Sequence, residues 1–209
     1  MYLIEKYFTD LSERQRERFR LLEDIYSRWN QKINVISRRD MVNFYERHVL
    51  HSLAIGRFLR FTDGSRILDI GTGGGFPGLP LAILFENSRF YLADSVSRKI
   101  TVVKAVIDEL DLKNTVPLHI RAEDTDQQFD FALSRATVSA EKLLKWTRGK
   151  FLPVDRNPLP NGLICLKGGD LSEQMQTADP EADIFEISSF FQEDFFRTKK
   201  IVYIPASRP

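Results

Sequence analysis

The segment Asp69-Ile70-Gly71-Thr72-Gly73-Gly74-Gly75-Phe76 constrains this chain more than any other stretch. It follows a strand-like run, Arg66-Ile67-Leu68, and precedes a helix-like run, Leu79-Pro80-Leu81-Ala82-Ile83-Leu84. Glycine lacks a Cβ, so such a segment turns tightly and lets a ligand approach bare main chain. The acid-x-Gly-x-Gly-x-Gly spacing therefore fits a bound nucleoside cofactor. The dinucleotide fingerprint Gly-x-Gly-x-x-Gly fails at its third glycine, where Phe76 stands. An acid two residues ahead of the first glycine suits a ligand carrying positive charge and opposes a pyrophosphate. S-adenosylmethionine fits this loop better than NAD.

The rest of the chain supplies the fold such a loop needs. From residue 65, short apolar runs alternate with helix-period runs. Strands are predicted at Ile67–Ile70, Phe90–Asp94, Val116–Ile120, Phe129–Leu133 and Leu163–Leu166. Pro117 places the third at an edge or a strand start. Ile184–Ile187 and Ile201–Ile204 have no helical spacer and read as a closing antiparallel pair. This alternation predicts an α/β fold, a doubly wound, mostly parallel Rossmann-like sheet. Ahead of it, Ser12-Glu13-Arg14-Gln15 reads as a capping box, and Phe19, Leu22, Ile25, Tyr26, Trp29 and Ile33 recur at helical spacing. Asp40 is placed to cap a second helix through Phe44, His48 and Leu53 toward Leu59. The expected organisation is a helical extension, residues 1–60, and a cofactor-binding domain, residues 61–209.

In doubly wound sheets the ligand lies beyond the carboxyl ends of the strands. Strand one ends in Asp69, Gly71 and Gly73. Strand two ends in Asp94, at about the spacing where an acid accepts ribose hydroxyls. Asp94 taken alone reads equally as a helix N-cap. Strand three leads to Ala122-Glu123, placed to meet an adenine edge, although Glu123 taken alone is a solvated loop acid. Strand four leads to Ser134-Arg135, and strand five to Lys167.

Composition excludes several classes. The single Cys165 sits in an apolar run and reads as a core residue, in keeping with a reducing compartment. One Cys and three His make a zinc site improbable, so no metal is expected. No run approaches a membrane span, and the first residues do not read as a signal peptide, so a cytoplasmic protein is expected. Net charge is +1, yet residues 1–60 hold 12 Lys and Arg against 8 Asp and Glu. Arg38, Arg39, Arg47 and His48 are candidates for RNA phosphates; on charge alone a solvated helix face explains them as well.

Several motifs resemble one family, the glucose-inhibited division protein B (RsmG) family of small-subunit ribosomal RNA guanine-N7 methyltransferases. They are Asp69 to Ala82 with its Phe-Pro-Gly-Leu-Pro continuation, Arg28-Trp29-Asn30 with Ile33-Asn34, Arg47-His48 with Leu50 and Ser52, Ser134-Arg135-Ala136, and Leu166-Lys167-Gly168. The likeness spans roughly residues 15 to 168. It implies S-adenosylmethionine contacts at Gly71, Phe76, Ala122, Glu123 and Arg135, to which the residue argument adds Asp69, Gly73 and Asp94. Two departures lie in the helical extension: His51 stands where the family has Asp, and Val35-Ile36-Ser37 replaces Leu-Thr-x.

The implied reaction is methyl transfer to guanine N7 in small-subunit (16S) ribosomal RNA, free or in a ribosomal subunit, by a protein expected to be a monomer. N7 carries an in-plane lone pair and no proton at neutral pH, so the transfer needs no general base. No catalytic residue is assigned; Arg135 and Lys167 are candidates for positioning the substrate. The other readings are a methyltransferase of a small molecule or protein, and a non-catalytic ribosome-assembly factor. A nicotinamide oxidoreductase is disfavoured by Asp69 and Phe76.

Overall fold

Ser12 opens the first long helix as its side chain predicts. Its hydroxyl accepts the Gln15 N–H at 3.2 Å, and Gln15 Oε1 accepts the Ser12 N–H at 2.9 Å. The computed structural model describes residues 1–135, 138–169 and 182–206, so Ala136 of the Ser-Arg-Ala motif lies outside the described residues. A short α1 (Tyr2–Glu5) precedes α2 (Glu13–Asn30), which buries Phe19, Leu22, Ile25 and Tyr26 on one face. Asn30 then folds the chain back: its Oδ1 accepts from Val35 N and Ile36 N, and its Nδ2 donates to Ile36 O at 2.7 Å.

The second helix differs from the expectation. Ser37, not Asp40, caps α3 (Arg38–Met41), accepting the Asp40 N–H at 3.1 Å. Asp40 lies inside α3, three residues past the cap, and its carboxylate accepts the Ser37 hydroxyl at 2.7 Å and pairs with Arg47 at 3.1 Å. The expected continuous helix is also divided. A π-helical stretch, Tyr45–Leu50, passes into α4 (His51–Phe58). It carries Arg47 and His48, and such wide turns recur at functional sites.

Among the described residues the sheet has seven strands in the order β3-β2-β1-β4-β5-β7-β6. They are β1 (Arg66–Ile70), β2 (Arg89–Ala93), β3 (Thr115–Leu118), β4 (Phe131–Ser134), β5 (Gly162–Gly168), β6 (Asp183–Glu186) and β7 (Lys199–Pro205). The first five run parallel, and β7 lies antiparallel between β5 and β6. Pro117 sits in β3, an edge strand, where its missing N–H interrupts no ladder on the open side. Order reverses between β1 and β4, which puts the switch point beside the glycine loop.

Side chains alternate cleanly between two cores. Ile67, Phe90, Leu92, Phe131, Leu133, Ile164 and Leu166 join Phe19, Leu22 and Leu53 of the helical extension on one face. Leu68, Tyr91, Ala93, Ala132, Leu163 and Cys165 face the other side, with Ala140 and Leu143 of α7 (Ala140–Thr147). Burial pushes the Cys165 thiol up to about 12, as for a core residue. The extension also covers α5 (Gly78–Leu84) and α6 (Ser97–Glu109). No described helix is long and apolar enough to cross a membrane.

Candidate active site

The period-two alternation of β1 assigns Asp69 to the face covered by the extension, and the residue is fully buried. A carboxylate there needs partners. One oxygen has them: Oδ2 accepts the Thr72 hydroxyl at 2.6 Å and the Gly78 N–H at 2.8 Å. The other, Oδ1, is buried without any. Burial outweighs those bonds and raises the Asp69 pKa to about 6.

The loop after Asp69 has a packed side and a bare side. Thr72 N donates to Ala93 O at 2.9 Å, tying the loop to β2, and the Tyr26 hydroxyl donates to Gly74 O. A Cβ on Gly78 would lie 2.2 Å from Leu92 Cδ2 and 2.8 Å from Asp69 Oδ2, so only glycine lets α5 start this close to β1. Gly73 is the opposite case. Its φ is +60°, and a Cβ there would meet nothing nearer than Gly71 O at 3.9 Å, so its main chain faces open space.

Asp94, at the end of β2, is not the N-cap of α6, which is Val96 without a side-chain cap bond. Its Oδ1 accepts Val96 N at 2.9 Å at the entry to α6, and its Oδ2 accepts Gly73 N at 3.0 Å. Lys99 lies 3.5 Å from the same oxygen. Ala122 and Glu123 form a helical turn after β3. Ala122 is buried, and the Glu123 carbonyl accepts Lys150 Nζ at 2.9 Å.

Arg135 follows β4 directly and joins the loop to the extension. Its guanidinium lies 5.0 Å from the centre of the Phe76 ring and donates to His48 Nδ1 at 3.1 Å and Arg47 O at 3.4 Å. Arginine only donates, so His48 Nδ1 holds a lone pair and its proton sits on Nε2. That Nε2 is buried with no partner. Burial, and then the charge of Arg135, lowers the His48 pKa to about 4. His51 is lowered to about 3 by the same two effects. Both imidazoles are neutral at pH 7. Phe76 is buried, 5.0 Å from Tyr26, 5.3 Å from His48 and 6.0 Å from Phe44 between ring centres. The residue that spoils the dinucleotide pattern anchors the loop in the helical extension.

The structure thus gathers Asp69, Gly71, Gly73, Phe76, Asp94, Arg135, Arg47 and His48 around one loop. Arg38 and Arg39 stand exposed on α3. Lys167 lies near the end of β5, its amine donating to Val138 O at 2.5 Å. Tyr26 was legible only as an apolar helix position, although a tyrosine there signals a hydroxyl needing a partner. Thr72 carries the same hint within the loop. Phe195 and Lys199, which lie against Arg47 and its neighbours, carry no local signal because the contact is tertiary.

Comparison with known proteins agrees with this geometry. The family model GidB, described as rRNA small subunit methyltransferase G, matches residues 15–194. The ribosomal RNA small subunit methyltransferase G of Bacteroides fragilis is 49% identical over 204 residues, covering 98% of this chain and 99% of its own. That of Cytophaga hutchinsonii is 48% identical over 206 residues, covering 99% and 100%. Among solved structures, a SAM-dependent methyltransferase from Aquifex aeolicus superposes with TM-score 0.55 at 17% identity, over 77% of this chain and 90% of that one. Precorrin-6y C5,15-methyltransferase from Geobacter metallireducens gives TM-score 0.56 at 10% identity, over 75% and 88%. At such identities these two show the class I methyltransferase fold alone.

Proposed function

Because the chain belongs to the GidB family, rRNA small subunit methyltransferase G, we propose that it transfers the methyl group of S-adenosylmethionine to N7 of a guanine in small-subunit ribosomal RNA. The observation that carries the cofactor is Asp69 Oδ1, a buried acceptor with no partner beside an open stretch of glycine backbone. A ligand with a cationic amino-acid end satisfies that acceptor, whereas a pyrophosphate is repelled by it. When bound, S-adenosylmethionine supplies an electrophilic methyl on a sulfonium.

The chain's own residues bind, orient and exclude water. Asp69, Gly71 and Gly73 take the amino-acid end of the cofactor. Asp94, already held by Gly73 and Val96, takes the ribose hydroxyls. Ala122 and Glu123 border the adenine, and Phe76 with Arg135 closes the wall toward the substrate. No residue acts as a base. His48 Nδ1 is occupied by Arg135, and guanine N7 has no proton to lose. Orientation and close approach supply the rate. Arg135 and Lys167 position the guanine, and Arg38, Arg39, Arg47 and His48 in the basic extension meet the RNA. In this reading residues 1–60 form the RNA-facing unit and 61–209 the methyltransferase unit of a cytoplasmic monomer, with a ribosomal subunit as the natural form of the substrate.

Mapping N7-methylguanosine in small-subunit RNA from cells with and without this gene tests the function. One site should lose its methyl group in the deletion strain and regain it on complementation. An unchanged map would sink the reading, and transfer from labelled cofactor to a metabolite or protein would replace it with another methyltransferase.

A further inference from the structure

Phe195 lies in the short helical turn Asp194–Thr198 that leads into β7. Two cations stand on its ring. Lys199 Nζ is 4.8 Å from the ring centre and the guanidinium carbon of Arg47 is 5.6 Å from it. One comes from the helical extension and the other from the last strand, so the fold has brought like charges to one aromatic. Each is attracted by the ring's electron-rich face, which holds them in place against their mutual repulsion.

Among the described residues the charges around them do not balance. There Arg47 has one carboxylate partner, Asp40 at 3.1 Å, and its Nε is buried without an acceptor. Lys199 has no carboxylate within ion-pair reach among the described residues; its amine donates to Thr198 Oγ1 at 3.4 Å. Arg135 adds a third cation through the Arg47 carbonyl. His51 packs edge-on to Phe195 at 5.5 Å and contributes no negative charge. Two cations so held suit an anion, because a phosphate that reaches both gains a charge-assisted hydrogen bond from each.

We propose that Arg47 and Lys199, held on Phe195, clamp a phosphate of the RNA backbone beside the guanine that enters the active site. The occupant is RNA because the clamp adjoins the proposed reacting centre: the Arg47 backbone carbonyl accepts from Arg135, and Arg135 lies on Phe76 of the glycine loop. Phe195 is a positioning residue that acts through the two cations. The proposal rests on the reading of this chain as an RNA methyltransferase.

Binding of in-vitro-transcribed small-subunit ribosomal RNA across a salt series tests it, on wild type, Lys199→Gln, Phe195→Leu and Phe195→Trp, with S-adenosylmethionine calorimetry alongside. Lys199→Gln removes one phosphate contact, so the slope of log affinity against log salt should flatten by roughly one unit. Phe195→Leu should weaken RNA binding by about twofold to thirtyfold. Phe195→Trp should keep wild-type binding, and cofactor affinity should not move in any of the three. If wild type methylates the RNA while Lys199→Gln keeps its salt slope and Phe195→Leu its affinity, the clamp is wrong and the function stands. A wild-type protein that neither binds nor methylates the RNA removes both.

Discussion

Asp69 is held at a cost in the folded state, and under the proposed cofactor reading that cost becomes binding energy. Its pKa rises from the ordinary 3.8 to about 6 because burial costs the carboxylate more than Thr72 and Gly78 return. Between those two values the native state binds more protons than the unfolded chain. The contribution of Asp69 is therefore full below about pH 4 and is lost as pH rises through about 6, a difference on the order of 3 kcal/mol. A cationic ligand at Oδ1 reverses the preference, since it needs the ionised form. Cofactor affinity should then fall as pH drops below about 6, approaching tenfold per unit. Asp69→Asn keeps an oxygen for Thr72 and Gly78 but cannot ionise. We expect it to stabilise the free protein by about 1–3 kcal/mol at pH 8, with the gain shrinking toward pH 4, and to lose most cofactor affinity and its pH dependence. Denaturation and calorimetry at several pH values check this; an Asn variant that is less stable at pH 8, or binds as wild type, would refute the role given to Oδ1.

At the scale of elements, the loop between β1 and α5 divides into positions packed against their neighbours and a position open to space, where the proposed ligand lies. Gly78 meets Leu92 and Asp69, whereas Gly73 faces open space, and the sequence shows the two only as glycines. Gly73→Asp separates the two roles. Aspartate tolerates a positive φ better than most residues, and a Cβ there meets nothing nearer than Gly71 O at 3.9 Å. The fold should persist with a loss of about 1 kcal/mol or so, while the new carboxylate occupies the cofactor's space and cofactor binding drops below detection. Normal cofactor titration of a folded Gly73→Asp protein would contradict the placement of the ligand on this face. The strands were legible because each carries its own period: Ile67 and Leu68, or Ile164 and Cys165, alternate between two cores. The cap at Ser37 was not. Asp40 is as good a cap by type, but the cap stands three residues earlier, at Ser37, and the helix takes Asp40 into its first turn. The π-helical turn at Tyr45–Leu50 likewise leaves no mark in apolar spacing.

For the whole molecule, the composition break near residue 60 marks a change of texture that the packing does not respect. Phe19, Leu22 and Leu53 share one core with Ile67, Phe131 and Tyr203, and Tyr26 reaches across to donate to Gly74. At the far end, Tyr7 donates to Glu193 at 2.9 Å and Lys6 pairs with the same carboxylate, also at 2.9 Å, stapling the start of the chain to the segment before β7. None of these contacts has a local signature, which is why the residues on the strand ends were legible while a residue they meet across the fold, Tyr26, was not. Because the extension and the sheet share one core and each buries apolar surface that the other needs, we expect them to fold as one cooperative unit. Trp29 lies in the extension and Trp146 on α7 at the opposite face, so each reports its own part. We expect Trp29→Phe and Trp146→Phe proteins, followed by the remaining tryptophan's fluorescence and by far-ultraviolet circular dichroism, to unfold in urea with coincident transitions within each protein. A tryptophan transition well separated from the backbone transition would mean that residues 1–60 fold as an independent domain, and the substrate-facing surface would then have to be assembled by docking rather than built into the core.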